Sequence, residues 1–290
     1  MQLSIRHETV YRYDRPIDYA VQLVRLTPLN HAGQRVLNWR VADGNGRLLP
    51  STTDGYGNVV HMMSVHRRHS DARIVAEGLV ETAETHGMLR EADERLPRLY
   101  YTRTTPLTQP DAAIRALADE VRGSIDAIEQ LHRLMLKVHK RVAYVVGATS
   151  VTTTGAEALA RGSGVCQDHA HIFLACTRLL GHAARYVSGY LWEGDKTEPI
   201  EAGHAWAEAY VDNVGWVGFD PANGIAPAEN YVRTAIGLDY REAAPVRGVW
   251  RGAAAETLAV NLKVQQVQSD RKSTRLNSSH SQQSRMPSSA

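Results

Sequence analysis

Gly162-Ser163-Gly164-Val165-Cys166-Gln167-Asp168-His169-Ala170-His171 runs directly into Ile172-Phe173-Leu174-Ala175-Cys176-Thr177-Arg178-Leu179-Leu180-Gly181. Val165, Ile172, Phe173, Cys176, Leu179 and Leu180 recur at roughly helical spacing, and Gly181 is a natural stop, so the second half reads as a helix. The two glycines ahead of Cys166 allow a sharp entry and put the thiol in the first turn. A thiol there meets unpaired backbone N–H groups and the positive end of the helix dipole, which both favour thiolate. Thiolate is the form that attacks carbonyl carbon. The same position also suits a buried structural cysteine, so Cys166 needs partners before it is given chemistry.

The partners come from a hairpin. Ala205-Trp206-Ala207-Glu208-Ala209-Tyr210-Val211 and Gly215-Trp216-Val217-Gly218-Phe219-Asp220 read as two strands joined at Asp212-Asn213-Val214-Gly215. Folding about Asp212 sets position 204 opposite position 220. His204 and Asp220 are therefore expected to be neighbours, and Cys166, His204 and Asp220 supply a nucleophile, a base and an acceptor that fixes the base. The hairpin predicts the His–Asp proximity but does not say whether the pair faces Cys166.

Composition bounds the alternatives. With 290 residues, 43% hydrophobic and 22% charged, the chain is globular and long enough for one large domain or two ordinary ones. The tail at 269–290 carries Arg271, Lys272, Arg275 and Arg285 against Asp270. Taking its net +3 from the overall +2 leaves −1 for the remainder, which is no electrostatic footprint for nucleic acid. The tail is Ser-rich and aperiodic, which predicts disorder, and Asp270–His280 resembles the translation of a sequencing-library adapter. An artefactual C-terminus is therefore expected. No stretch approaches a membrane span, and Met1–His7 has no apolar signal core. Cys166 and Cys176 lie ten residues apart on one helix, about 15 Å by its rise, too far for a disulfide. Together these predict a soluble cytoplasmic protein.

In order along the chain, residues 1–87 predict a small all-β domain. Its candidate strands are 2–13, ended by Asp14-Arg15-Pro16, then 20–28, 36–41, 59–65 and 72–82. Its His7, His61, His66 and His69 match no metal-ligand spacing. Residues 88–110, with Pro97, Pro106 and Pro110, read as a linker. Residues 111–268 form the second domain. Asp111 caps a helix through Ile114, Leu117 and Val121, Ile125–Lys140 is an amphipathic packing helix, and Thr154 with Glu157 makes a capping box. Residues 183–191 form a strand, followed by a polar loop from Glu193 to Ala202.

Gly164-Val165-Cys166-Gln167-Asp168-His169-Ala170-His171, Arg185-Tyr186-Val187-Ser188-Gly189-Tyr190, Gly203-His204-Ala205-Trp206-Ala207-Glu208 and Gly215-Trp216-Val217-Gly218-Phe219-Asp220-Pro221-Ala222-Asn223-Gly224 together resemble the bacterial transglutaminase-like superfamily. Residues 1–87 resemble the β domain that accompanies it. The resemblance implies an α+β, papain-like core, with Cys166 as nucleophile, His204 as base then acid, and Asp220 orienting the ring. It implies acyl transfer from an amide through a Cys166 thioester, with a protein or peptide substrate and no cofactor. Water as the acceptor gives a cysteine peptidase or amidase, which the bacterial members favour. An amine gives a protein-glutamine cross-linker. A non-catalytic binding module is the alternative from another class. The Cys166 N–H is one expected oxyanion donor and Tyr144 a candidate second. Gln167, Asp168 and His169 are expected to shape the cleft or hold the helix start, Trp206 to shield the site, and Cys176 to pack in the core. A zinc site from Cys166, His169 and His204 matches no zinc motif. Oligomeric state is not legible.

Overall fold

The computed structural model describes residues 1–89, 94–123, 126–194 and 203–267. The 269–290 tail and most of the polar loop expected at Glu193–Ala202 lie outside the described residues.

The first module is two antiparallel sheets. Its strands are β1 (Gln2–Ile17), β2 (Tyr19–Val24), β3 (Gln34–Asp43), β4 (Ser51–Thr53), β5 (Val59–Val65) and β6 (His69–Thr82). Alternation drives the layering: along β1, Leu3, Ile5 and His7 are buried, while Ser4 and Arg6 are exposed. Asp14-Arg15-Pro16 does not end β1. The strand carries on to Ile17 through a register shift between Arg12 and Ile17, and an irregularity there lets a proline sit in a strand.

The second module follows as β7 (Met88–Leu89), α1 (Ala112–Asp119), α2 (Ala127–Arg141), β8 (Ala143–Tyr144), α3 (Gly155–Arg161), β9 (Ser163–Gly164) and α4 (Cys166–Leu179). It continues with β10 (Ala184–Leu191), β11 (His204–Val211), β12 (Gly215–Phe219), β13 (Tyr231–Gly237) and α5 (Tyr240–Ala243). A five-stranded sheet of order β13-β10-β11-β12-β7 packs against α4. Thirteen of the fourteen α4 residues are buried, because α1, α2 and α3 cover the faces that the sheet leaves. Small residues allow the close approach: Ala205, Ala207 and Ala209 of β11 share one core with Ala170 and Ala175 of α4. The fold is thus α+β, with the cysteine helix at its centre.

Two further strands lie within the stretch that the sequence assigns to the second domain. β14 (Val246–Arg251) pairs with β2 and β15 (Glu256–Gln266) pairs with β1, both antiparallel. The sheets of the first module read β15-β1-β6-β3 and β14-β2-β5-β4. Residues 246–266 therefore complete the first module, which differs from the division at 111–268. Long-range pairing of this kind leaves no local signal. The 88–110 stretch is also more than a spacer. β7 pairs with β12, and Tyr101, Leu107 and Thr108 are buried. Buried Arg178 on α4 holds this stretch by donating to the Tyr101 carbonyl at 3.1 Å and to Thr108 Oγ1 at 3.0 Å.

The modules join along the free edge of β13. One extra residue in β13 near Thr234 shifts its register against β10, so Arg233 and Ile236 both present their backbone outward. Gln34 meets the first: its Nε2 donates to the Arg233 carbonyl at 2.9 Å, and the Arg233 N–H donates to its Oε1 at 2.8 Å. Asn58 meets the second with 2.8 Å bonds in both directions to Ile236. Two carboxamides thus imitate a neighbouring strand and satisfy an edge that would otherwise be open. Asn58→Ala leaves a buried N–H and a buried carbonyl unpaired and is expected to cost about 2–4 kcal/mol. The exposed turn change Asn45→Ala should cost under about 0.5 kcal/mol. Urea unfolding of the two variants measures the difference.

Candidate active site

The turn into α4 is built by two glycines for different reasons. Gly162 closes α3 at φ +70°, in the left-handed region. Gly164 is needed for space: a Cβ there would lie 2.7 Å from Asp168 Oδ2. That carboxylate reaches back over the helix start, accepting from the Val165 N–H at 2.8 Å and from Thr149 Oγ1 at 2.6 Å. Cys166 is the first helical residue, 9% exposed. Its own N–H belongs to the first turn and has no carbonyl four residues back to bond within the helix.

His169 anchors the same turn from below. Its Nδ1 lies 2.9 Å from the Val165 carbonyl and its Nε2 2.9 Å from the Val142 carbonyl. With both ring nitrogens taken by backbone, this ring is not presented to a metal, and His169 is part of the helix start. His171 is fully buried and accepts the Tyr240 N–H at 3.2 Å. Burial, aided by the charge of Arg178, pushes it down to about 3, so it stays neutral and packs on Tyr186. Cys176 is buried, its thiol pushed up to about 12 by burial, and it lies 3.5 Å from the Ile114 carbonyl. It is a core thiol, and both cysteines are free.

The hairpin does bring His204 to Asp220, through a different register. The strands pair Ala207 with Phe219 and Val211 with Gly215, so Trp206 stands level with Asp220 and His204 lies two residues further along the same face. The turn is one residue later than the spacing suggests, because Asn213 takes φ +63° and Gly215 φ +107°. The His204 ring crosses this diagonal, a distance long side chains span, and Nε2 donates to Asp220 Oδ2 at 2.6 Å. The Cys166 thiol lies within hydrogen-bonding reach of the same imidazole. Cys166, His204 and Asp220 are therefore in one place, with the ring between the sulfur and the carboxylate.

Asp220 is fully buried. Burial alone would raise its pKa, but the hydrogen bond and charge of His204, then Tyr231 and Asn223, outweigh this and hold the carboxyl below its ordinary range. The Tyr231 hydroxyl donates to Oδ2 at 2.7 Å and Asn223 Nδ2 at 2.8 Å. The Ala222 N–H donates to Oδ1 at 3.0 Å. Tyr231 and Asn223 are site residues that the sequence reading missed. Asp220-Pro221-Ala222-Asn223-Gly224 carries the Asx-turn signal that could have pointed to Asn223. Tyr231 is delivered by β13 from eleven residues away and has no such mark. For His204, burial works against the charged form, but the hydrogen bonds to Asp220 and Cys166 and their charges prevail and push it up to about 10.

Aromatic groups surround the pair. Trp206 stacks on His204 with centroids 6.1 Å apart and meets Tyr231 edge-on at 5.3 Å. It is 3% exposed, so it both shields the ring and fills the core. The Tyr144 hydroxyl lies within hydrogen-bonding reach of Cys166. Burial, the charge of Cys166 and the hydrogen bond to it raise that phenol to about 12, which keeps its proton available for donation at neutral pH.

Residues 115–221 match the transglutaminase-like superfamily and residues 3–81 the bacterial transglutaminase-like N-terminal region. The second module is a transglutaminase-like domain. A solved structure from Cytophaga hutchinsonii, described as a candidate cysteine protease, superposes with a TM-score of 0.73 at 19% identity, covering 92% of each chain. It shares the fold across both modules. An uncharacterised protein of Mycobacterium leprae is 29% identical over 289 residues, covering 91% of this chain and 98% of the relative. One from Mycobacterium tuberculosis is 29% identical over 270 residues, covering 84% and 86%. Among the described residues, no helix is long and apolar enough to cross a membrane.

The two shifts predict opposite pH responses. A raised imidazole contributes stability that is complete below its ordinary 6.5 and is lost as pH climbs through about 10. A lowered carboxyl contributes above its ordinary 3.8 and is lost on acidification. The stability gap between wild type and Asp220→Asn should therefore be widest near pH 5–6.5 and shrink toward pH 10. Urea unfolding across that range measures it.

Proposed function

We propose that this protein is a thiol enzyme that cleaves amide or peptide bonds through a Cys166 thioester, as a cysteine peptidase or amidase. The observation that carries the reading is the single imidazole set between the Cys166 sulfur and the buried Asp220 carboxylate. His204 takes the thiol proton. The sulfur attacks the amide carbonyl carbon, the C–N bond breaks, and His204 gives the proton to the leaving amine. Water, deprotonated by the same ring, then attacks the thioester and releases the acid and the thiol. Asp220 holds the ring orientation and balances the imidazolium. The Cys166 N–H and the Tyr144 hydroxyl are the donors for the oxyanion.

Hydrolysis is the branch we favour over amine transfer, in keeping with the bacterial members that the motifs resemble and with the protease description of the Cytophaga hutchinsonii protein. Protein or peptide is the substrate in this reading, and no metal is called for, since both His169 nitrogens are already engaged. Two free thiols suit the reducing cytoplasm.

Iodoacetamide at pH 6 is the first test. Cys166 is expected to react about 10- to 100-fold faster than a thiol of the unfolded protein, which is almost wholly protonated there. Equal rates would remove the activated nucleophile. The second test pairs peptide hydrolysis with incorporation of a dansylated amine into a glutamine-rich protein. Peptide hydrolysis is expected to dominate and to fall at least about 10³-fold in Cys166→Ala. Amine incorporation without hydrolysis would move the assignment to cross-linking. Asp220→Asn should lower kcat/KM by about 10²- to 10⁴-fold, as loss of an orienting carboxylate does in other triads.

A further inference from the structure

The segment Ala143–Thr154 contains no Asp, Glu, Lys or Arg, in a chain where 22% of residues are charged. It also exposes its apolar side chains. Tyr144 is 54% exposed, Val145 45%, Val146 79% and Val151 56%. Apolar groups exposed singly need no explanation, but four within eight residues form a patch. The patch is fixed to the nucleophile at both ends. Tyr144 pairs with Gly164, and the Val145 N–H donates to the Gly164 carbonyl at 2.9 Å. At the far end, Gln167 Nε2 reaches the Val151 carbonyl at 3.4 Å. In between, Thr149 donates to Asp168. Gly164, Gln167 and Asp168 bracket Cys166 in sequence, and the Tyr144 hydroxyl lies within hydrogen-bonding reach of the sulfur. The loop is therefore held as a wall beside the thiol.

From this geometry we propose that Val145, Val146 and Val151, beside Tyr144, form the subsite for an apolar side chain next to the reacting carbonyl of a peptide substrate. The proposal rests on the thiol-enzyme reading and narrows its substrate class. An extended peptide laid along the wall covers branched side chains that water otherwise touches. A polar side chain in the same place loses its hydration and finds no charge or fixed donor among these valines. The continuity of the patch with the reactive sulfur is what makes the substrate its occupant.

Two near-isosteric neutral reagents test it: N-acetyl-leucine chloromethyl ketone and N-acetyl-asparagine chloromethyl ketone. Both alkylate Cys166 and differ in whether the side chain is apolar. Peptide mapping confirms the labelled residue. Wild type should react about tenfold faster with the leucine reagent. In the exposed-site double variant Val146→Ser, Val151→Ser, that ratio should fall to about two or below, with the iodoacetamide rate unchanged within twofold. A leucine-to-asparagine ratio near one in wild type, or the same ratio in the double variant, would overturn the subsite while fast iodoacetamide labelling keeps the thiol enzyme. Slow iodoacetamide labelling in wild type would overturn both.

Discussion

The site depends on a carboxylate shut off from bulk solvent. Asp220 lies at 0% exposure and survives there as an anion because its oxygens accept from an imidazole, a phenol, a carboxamide and backbone N–H groups. Burying such a charge without partners costs several kcal/mol. With these partners, the negative charge is held in a place where solvent does not weaken it. His204 feels that field at 2.6 Å and becomes a strong enough base to compete for a thiol proton. β11 supplies the imidazole, the turn after β12 a carboxamide and backbone N–H groups, and β13 a phenol, so the basicity of one ring reports on the assembly of three elements.

The helix start is the second half of the same arrangement. Asp168 and His169 both turn back from the first turn of α4 to the chain that leads into it, one through its carboxylate and one through its ring. Neither touches the imidazole–carboxylate pair. They determine where the sulfur sits, and they explain why polar residues are tolerated in a helix with thirteen buried positions. Asp168 satisfies the Val165 N–H, which has no partner within the helix, and His169 ties the Val165 carbonyl to that of Val142.

Much of this was legible in the chain itself. Local signals worked where local chemistry decides the structure: the capping box at Thr154 and Glu157, the Asp111 cap, the stop at Gly181 and the cysteine at the first helical position all follow from neighbours in sequence. The closeness of His204 and Asp220 came from hairpin symmetry, though with the turn placed one residue early. Asn213 and Gly215 adopt positive φ, and no spacing rule reveals which of several turn residues will do so. Tyr231 and the two returning strands were invisible for a different reason. Their roles arise from pairings across a hundred residues or more of chain, or across a sheet, and sequence periodicity carries no record of its eventual partner.

The antiparallel match of β1 with β15 has a consequence for biogenesis. Leu3 meets Gln266 and Tyr13 meets Glu256, so β1 is completed by a strand translated long after it. At roughly 5–20 residues per second, about 12–50 s of translation separate the two. During that interval one long edge of β1 stands unsatisfied at the ribosome surface, where it invites pairing with other nascent chains. The thiol-bearing core is translated entirely inside that window, so it is available to fold while its companion module is still incomplete. A premature stop anywhere before Glu256 would release a chain with an open sheet edge, which makes this protein more prone to aggregation from truncation than its compact interior suggests.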